Sequence, residues 1–121
     1  LGTRIPSNPL VIGGDIHMTA VSDLKADFFN QQSPTVAAEI CGTSITSQGP
    51  RNLARLEQVR RNNPHVRFVD GGHRGYVRVS LQESMANAEL RAVADVRWRN
   101  SPMQTRARFV IEDGRPGVKI A

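Results

Sequence analysis

The most regular pattern along the chain is the alternation of apolar and polar residues in its last third. In AELRAVADVRW the apolar residues Leu90, Ala92, Ala94, Val96 and Trp98 fall on one side of an extended backbone, and the charged residues fall mostly on the other. A repeat of two over such a length is typical of an antiparallel strand with one buried face. It predicts a long strand that ends with the Trp98 indole in the core.

The same alternation recurs on either side of this segment. GYVRVSL predicts a strand before it, and TRARFVIEDGRPGVKIA predicts one after it, with Ala107, Phe109 and Ile111 facing inward. The EDG tripeptide predicts a turn into a short final strand. The last third is therefore expected to form an antiparallel sheet.

The first two thirds of the chain are less regular. PLVIGG predicts a short buried strand that ends in glycines, and PTVAAEIC and HVRFVD predict two more strands. HMTAVSDLKADFF is ambiguous between a loop and a short helix. RNLARLEQVRRNN predicts the one clear helix, with Asn52 placed to cap it and Pro64 to end it. The predicted class is α+β, a mostly antiparallel two-layer sheet structure with few helices.

Composition limits the organisation of the chain. Its 121 residues are enough for one domain, so residues 1–121 are expected to form a single unit. Because the sequence begins at Leu1, we expect it to be a piece of a longer protein. No apolar run approaches the roughly 20 residues of a membrane span. The single cysteine, Cys41, excludes an internal disulfide and a cage of several thiolates, and it is predicted to be a packing residue.

The net charge of +5 is unevenly distributed. Residues 1–50 carry two basic and four acidic side chains, a net of −2, whereas residues 51–121 carry fourteen and seven, a net of +7. A basic surface suggests a polyanionic partner such as phosphate, nucleic acid or a cell wall. Arginines that alternate with apolar residues are also typical of a solvated sheet face, and that interpretation is favoured.

A carboxylate and an imidazole follow the first predicted strand, in the sequence VIGGDIH. Asp15 and His17 are two positions apart, so they share a face of an extended chain and can converge just past its end. Carboxylate oxygen and imidazole nitrogen are both common metal ligands. Gly13 and Gly14 allow a sharp turn and the close approach of a ligand. From spacing alone, a capped turn and an ordinary surface histidine remain the simpler alternative.

Four segments in order resemble the C-terminal part of the PhoD-like alkaline phosphatases, a branch of the metallophosphoesterase superfamily. They are VIGGDIHMTAVSDLK, SPTVAAEICGTSITSQG, NNPHVRFVDGGHRGYVRVSL and the alternating strand that ends at Trp98. The resemblance covers roughly residues 9–100. It departs from the usual family pattern at Gly13 and at Ile40-Cys41, neither of which is a presumed ligand.

The resemblance implies a fold and an activity. The chain would be the C-terminal fragment of a metallophosphoesterase-like α/β sandwich, in which Asp15 and His17 bind metal. The family is similar to secreted phosphatases that use Ca²⁺ and Fe³⁺ to cleave phosphomonoesters and sometimes phosphodiesters. Secretion to the periplasm or the cell wall follows by resemblance only. The other ligands would lie in the N-terminal part of the protein, so the chain alone is expected to bind metal weakly and to be inactive.

Other polar residues have two open interpretations each. Glu39 could partner an arginine or the free ring nitrogen of His17, or it could form an ordinary salt bridge. Arg74, in a loop flanked by glycines, could hold a phosphate oxygen, although a simple surface turn that also includes His73 is favoured. The hydroxyls of TSITS are expected to form a structural turn rather than to orient ligands.

Two other function classes remain. A basic nucleic-acid-binding module would need exposed aromatic residues, and the aromatic side chains are predicted to lie mostly in the core: Phe28, Phe68, Phe109 and Trp98. A non-catalytic assembly fragment would expose strand edges and form homo-oligomers. Light scattering after size-exclusion chromatography distinguishes such a self-associated species from a monomer.

Overall fold

Eight strands and one helix make up the computed structural model, which describes residues 6–121. In chain order they are β1 (Leu10–Gly13), β2 (Thr19–Lys25), β3 (Thr35–Cys41), α1 (Leu53–Asn62), β4 (Val66–Asp70), β5 (Arg74–Leu81), β6 (Met85–Val93), β7 (Met103–Glu112) and β8 (Arg115–Ile120).

The strands form two four-stranded sheets. Sheet A has the order β1-β3-β2-β4, with β1 parallel to β3 and the other pairs antiparallel. Sheet B is a simple antiparallel meander in the order β5-β6-β7-β8, and its last hairpin turns at Asp113 and Gly114. The α+β class, the antiparallel pairing and the closing hairpin are confirmed.

The core lies between the facing sides of the two sheets. Sheet A contributes the buried residues Val21, Ala38 and Ile40, and sheet B contributes Ala86, Ala88, Leu90, Phe109, Ile111 and Val118. In β7 the predicted inward positions Phe109 and Ile111 are buried. The sheets are also joined by a polar contact, in which the buried Val118 N–H donates to the Asp23 carboxylate at 2.8 Å. Buried polar groups need hydrogen-bond partners, and this bond supplies a donor to the buried Asp23 carboxylate.

Residues 19–25 form neither a loop nor a helix, the two possibilities that the sequence left open. They form β2, which lies between β3 and β4 in the middle of sheet A. Ser22 and Asp23 are buried there, although polar residues are uncommon in a central strand. β2 pairs with β3 on one side and β4 on the other, and Asp23 is bonded to Val118 of β8 and to Arg67. These tertiary contacts outweigh the weak local sequence pattern.

The predicted strand through Trp98 is wrong in its second half. β6 ends at Val93, and residues 94–102 form a loop in which the Asp95 carboxylate accepts the Arg97 N–H at 2.9 Å. Asp95 N–H in turn donates to the Ser101 hydroxyl at 2.8 Å. Such aspartate-centred turns compete with strand pairing. Trp98 therefore lies outside the core and is 69% exposed.

Two further apolar predictions are wrong in the same direction. β1 was predicted to be buried, but it is an edge strand of sheet A, where Ile12 is 65% exposed. Phe28 was predicted to be core, but half of its surface is exposed and its ring meets His65 edge-to-face. Phe68 and Phe109 do pack together, with ring centroids 5.9 Å apart. The argument against nucleic-acid binding assumed that the aromatic side chains pack in the core, and this is true of Phe68 and Phe109 but not of Phe28 and Trp98.

Helix α1 forms where the sequence predicts it. The Asn52 side chain accepts the Arg55 N–H at 2.9 Å, as a helix N-cap does, and the helix ends at Asn62 just before Pro64. None of its residues is fully buried. Leu53 and Leu56 lie directly over Gly71, so the helix covers the end of β4. Among residues 6–121 the structure contains no helix long and apolar enough to cross a membrane.

Candidate metal centre

The turn between β1 and β2 carries both predicted ligands in an uncommon backbone conformation. Asp15 has φ of 74° and His17 has φ of 55°, the left-handed region that most side chains avoid. Ile16 N–H donates to the Gly14 carbonyl at 3.0 Å, which closes a γ-turn around Asp15. Strained residues of this kind cluster at binding and catalytic sites. The strand geometry used to predict a shared face does not apply, because β1 ends at Gly13.

The His17 ring is held by one hydrogen bond. Its Nδ1 lies 3.1 Å from the Gln48 carbonyl oxygen. A carbonyl oxygen can only accept, so Nδ1 carries the proton, and the lone pair of the neutral ring is on Nε2. Metal-binding histidines are commonly fixed in this way, with the second ring nitrogen donating to a carbonyl or carboxylate. His17 is exposed, so Nε2 is accessible from outside the chain.

Asp15 is exposed as well, and its carboxylate makes no hydrogen bond or ion pair with any residue from 6 to 121. It lies close enough to Cys41, at the end of β3, for its charge to act on the thiol. Burial is the main cause that raises the pKa of Cys41, and the charges of Glu39 and Asp15 add to it. The Cys41 thiol is neutral and donates to the Gly14 carbonyl at 3.4 Å, so it supports the turn as a packing residue.

Glu39 does not take the role at His17 that the sequence suggested. It lies half-buried on β3, and the Gln48 carbonyl occupies the Nδ1 position instead. Within the described part of the chain Glu39 has no arginine partner either. Its charge adds to the burial that raises the pKa of Cys41.

Arg74 does not lie in a surface turn. It begins β5, is 7% exposed, and donates to the carbonyl oxygens of His17, Ser47 and Gly71 and to the Ser44 hydroxyl. Because the guanidinium is buried and already donates to these four groups, the structure favours a role in holding the loops together over contact with a phosphate group.

The TSITS segment forms a hydrogen-bonded turn, as predicted. The Ser44 hydroxyl donates to the Ser47 carbonyl at 2.6 Å, and the Thr43 hydroxyl donates to the His73 carbonyl at 3.2 Å. These contacts lie beside the turn that carries His17. The hydroxyls of Thr43 and Ser44 are thus bonded to protein groups, which agrees with a structural role.

A second histidine, His73, is tied to an acidic partner. Its Nδ1 lies 2.9 Å from the Asp70 carboxylate, which also accepts the Gly72 N–H and pairs with Arg106. Burial raises the pKa of Asp70, but these partners outweigh it, His73 foremost, and the pKa lies below its ordinary value. The cluster rigidifies residues 70–73, which precede Arg74.

The donor set fits a metal only in part. Asp15 offers carboxylate oxygen and His17 offers Nε2, a combination suited to several divalent and trivalent ions. Across residues 6–121, no group of three or more histidine, cysteine, aspartate or glutamate side chains comes together as a metal site. Catalytic metals need at least three protein ligands. A complete site therefore requires donors from outside the described residues.

Sequence reasoning missed the groups that position His17. A backbone carbonyl such as that of Gln48 has no side-chain signature, so nothing in the sequence could have identified it. Gly49 offered an indirect signal, since a glycine next to a polar turn can mark a close approach of backbone segments. A Cβ at Gly49 would lie 2.5 Å from the Arg74 guanidinium and 2.8 Å from the His17 carbonyl.

Comparison with known proteins identifies relatives over almost the whole chain. Residues 3–90 match the PhoD-like phosphatase family. The chain is 34% identical over 115 residues to alkaline phosphatase D of Bacillus subtilis (strain 168), covering 93% of this chain and 20% of that protein. It also superposes on a solved structure described as "Structure of PhoD", with a TM-score of 0.81 and 31% identity, over 93% of this chain and 22% of the other.

The chain spans about a fifth of the length of these relatives. The match to the solved structure agrees with the observed two-sheet architecture, and the matched range includes the turn with Asp15 and His17. Because the family match extends over more than half of the sequence, this chain belongs to the PhoD-like phosphatase family.

Proposed function

We propose that the full-length protein is a metal-dependent phosphoric ester hydrolase and that Asp15 and His17 are two of its metal ligands. The observation that carries this proposal is the bond from His17 Nδ1 to the Gln48 carbonyl, which leaves Nε2 as the donor atom on an exposed, strained turn. The relative from Bacillus subtilis is named an alkaline phosphatase, which supports the same reaction class.

The chain contributes rigid donors to such a site. The γ-turn fixes the backbone at Asp15, and the Gln48 carbonyl fixes the ring plane of His17. A metal bound there would polarise a phosphoryl oxygen and lower the pKa of a bound water. Asp15 adds a negative charge that offsets part of the charge of the cation, and its two oxygens allow it to contact more than one ion.

The finer assignments are part of the proposal. One carboxylate and one imidazole suit several ions. We propose Ca²⁺ and Fe³⁺ as the ions, and phosphomonoesters or phosphodiesters as the substrates, on the resemblance to the PhoD-like phosphatases alone. Elemental analysis of the purified full-length protein checks the ions, and the presence of neither would contradict this choice. Secretion to the periplasm or cell wall is proposed on the resemblance, and cell fractionation with an activity assay checks it.

The rest of the protein is the expected partner of this chain. We propose that residues 1–121 form the C-terminal part of the catalytic domain and that upstream segments cover the edge of β1, where Val11 and Ile12 are exposed. Without them the chain is expected to self-associate through that edge and to be inactive, because it supplies too few metal ligands. Full phosphatase activity from the isolated chain would contradict this.

The test is the phosphatase activity of the full-length protein with Asp15→Asn or His17→Ala. Asp15→Asn removes a charged donor oxygen at nearly constant volume, and His17→Ala removes the donor ring at an exposed position. We therefore expect a loss of several orders of magnitude in kcat/KM with bound metal reduced. Two controls lie on other elements: Glu112→Gln, on β7, removes a half-buried carboxylate that pairs with Lys119, and His65→Ala removes the ring that meets Phe28.

The controls are expected to retain nearly normal activity. Near-normal rates in Asp15→Asn and His17→Ala would show that the two residues only shape the turn, and the proposal would then be wrong. A loss of activity in all four variants together with a loss of folding would also count against a specific metal role.

A further inference from the structure

Three loops meet at the side chain of Arg74. Its guanidinium donates to the His17 carbonyl at 2.8 Å and the Ser44 hydroxyl at 2.8 Å, and to the Ser47 and Gly71 carbonyls at 3.0 and 2.6 Å. We refer to this group of contacts as the Arg74 clasp. It joins the ligand turn, the loop that follows β3 and the loop between β4 and β5.

The clasp reaches His17 by two routes. One is the direct bond to the His17 carbonyl. The other passes through the Ser47 carbonyl, which belongs to the residue before Gln48, and Gln48 in turn accepts the bond from His17 Nδ1. One buried cation therefore fixes the backbone of His17 and the peptide adjacent to the Gln48 carbonyl that orients its ring.

The packing around the clasp leaves little freedom. Gly49 lies so close that a Cβ there would be 2.5 Å from the guanidinium, 2.5 Å from the Gly71 carbonyl and 2.8 Å from the His17 carbonyl. Real Cβ atoms do not approach so closely, so any side chain at this position must displace part of the clasp. Leu53 and Leu56 cover Gly71 from the helix side and hold the third loop in place.

We propose that Arg74 is a positioning residue that sets the ring orientation and tautomer of the metal ligand His17. This inference rests on the proposed function, because it gives His17 its role as a ligand. It predicts that Arg74 acts on metal binding and not through contact with the phosphate ester. Partners that orient a histidine ligand typically change metal affinity about 10–100-fold.

The first experiment examines the ring itself, in full-length protein stripped of metal and labelled with ¹⁵N-histidine. The His17 signals are assigned by their loss in His17→Gln. In the wild type we expect a protonated Nδ1 and an unprotonated Nε2, as the bond to Gln48 requires. In Arg74→Met we expect this pattern to be lost, and in Arg74→Lys we expect it to be partly restored, since a lysine can donate to some of the same carbonyls.

The second experiment measures metal binding and kinetics on the same proteins. Zn²⁺ alone is titrated into the metal-free protein, and we expect Arg74→Met to weaken its binding about 10–100-fold. At saturating metal the KM for p-nitrophenyl phosphate should stay within about twofold of the wild type, since the guanidinium does not contact the substrate. Arg91→Met is the control: Arg91 is half-buried and bonds to Thr105 in sheet B, so this variant should keep wild-type Zn²⁺ affinity.

A third variant keeps the proposal testable if Arg74→Met fails to fold. Gly49→Ala leaves Arg74 intact but forces a Cβ against the clasp, so it should reproduce the altered His17 signals and the weaker Zn²⁺ binding. Gly72→Ala is its control, because a Cβ there meets only ordinary contacts, the nearest at 3.5 Å.

The outcomes separate this inference from the proposed function. Unchanged His17 signals in Arg74→Met, Arg74→Lys and Gly49→Ala would overturn the clasp, whatever the protein binds. A raised KM with unchanged Zn²⁺ affinity would also overturn it and would assign Arg74 to the phosphate ester. If His17→Gln leaves Zn²⁺ binding and activity unchanged, the proposed function fails, while the signals of the metal-free protein still decide whether Arg74 positions the ring.

Discussion

The exposed turn after β1 and the outer face of sheet B differ in how their carboxylates are paired. On sheet B, Glu89 accepts a hydrogen bond from Thr105 and pairs with Arg78, Arg91 and Arg108. On the turn, Asp15 has no cationic or hydrogen-bonding partner between residues 6 and 121, and the backbone around it is strained. On sheet B three arginines surround one carboxylate, whereas on the turn the Asp15 carboxylate has no cation beside it among residues 6–121.

This difference shows how to separate scaffold from site in a basic chain. The excess of arginine in residues 51–121 suggested a polyanion-binding surface, but three of these arginines, Arg78, Arg91 and Arg108, surround Glu89 on a regular strand face. The solvated-face interpretation accounts for those arginines. The turn has few charges and an unfavourable backbone, and unfavourable local structure persists only where the surroundings or a function maintain it.

The larger of two stability effects is expected at the turn. Asp15→Gly replaces a side chain at φ of 74° with the residue that adopts this conformation without strain, so we expect the metal-free full-length protein to gain about 1 kcal/mol. Urea unfolding of the metal-free protein measures it. Ile16→Gly is the matched control, because Ile16 is an exposed neighbour whose φ is not positive. Glycine there only makes the unfolded chain more flexible, so it should lower the free energy of unfolding by about 0.5–1 kcal/mol. Equal destabilisation by both substitutions would mean that the turn stores no strain.

The smaller effect is expected on sheet B and depends on pH. Hydrogen bonds from Thr105 and Arg78, together with the charges of Arg78 and Arg108, lower the pKa of Glu89 from 4.5 to about 2. Because the folded pKa is the lower one, this stabilisation is fully present above pH 4.5 and is lost as the pH falls toward 2. Melting temperatures measured across this window should fall less steeply in Glu89→Gln than in the wild type. Parallel profiles would show that the arginine cluster adds no stability.

Most of the fold could be predicted from the sequence because burial on one face of a strand leaves a repeat of two. The pattern located β5, β7 and β8 and the inward positions Phe109 and Ile111. It failed where tertiary contacts decide the outcome: β2 is a central strand because it pairs with β3 and β4, and its buried Asp23 accepts the Val118 N–H. It also failed at Asp95, whose turn ends the strand before Trp98.

The sequence singles out the two proposed ligands but not the groups that support them. Asp15 and His17 stand out by residue type and by their place after a glycine pair. The orientation of His17 depends on the Gln48 carbonyl and on the Arg74 clasp, which join segments about 30 and 57 positions away along the chain. Contacts made by backbone oxygen at such separations leave no pattern in one sequence, so only the folded structure could show them.

The most direct test of the metal-ligand assignment is a crystal structure of the full-length protein loaded with metal, with the ion located by its anomalous scattering. We expect a metal bound by His17 Nε2 at about 2 Å and an Asp15 carboxylate oxygen in its coordination sphere, with His17 Nδ1 still donating to Gln48. A fully occupied metal centre elsewhere in the protein, with neither Asp15 nor His17 among its ligands, would contradict the account.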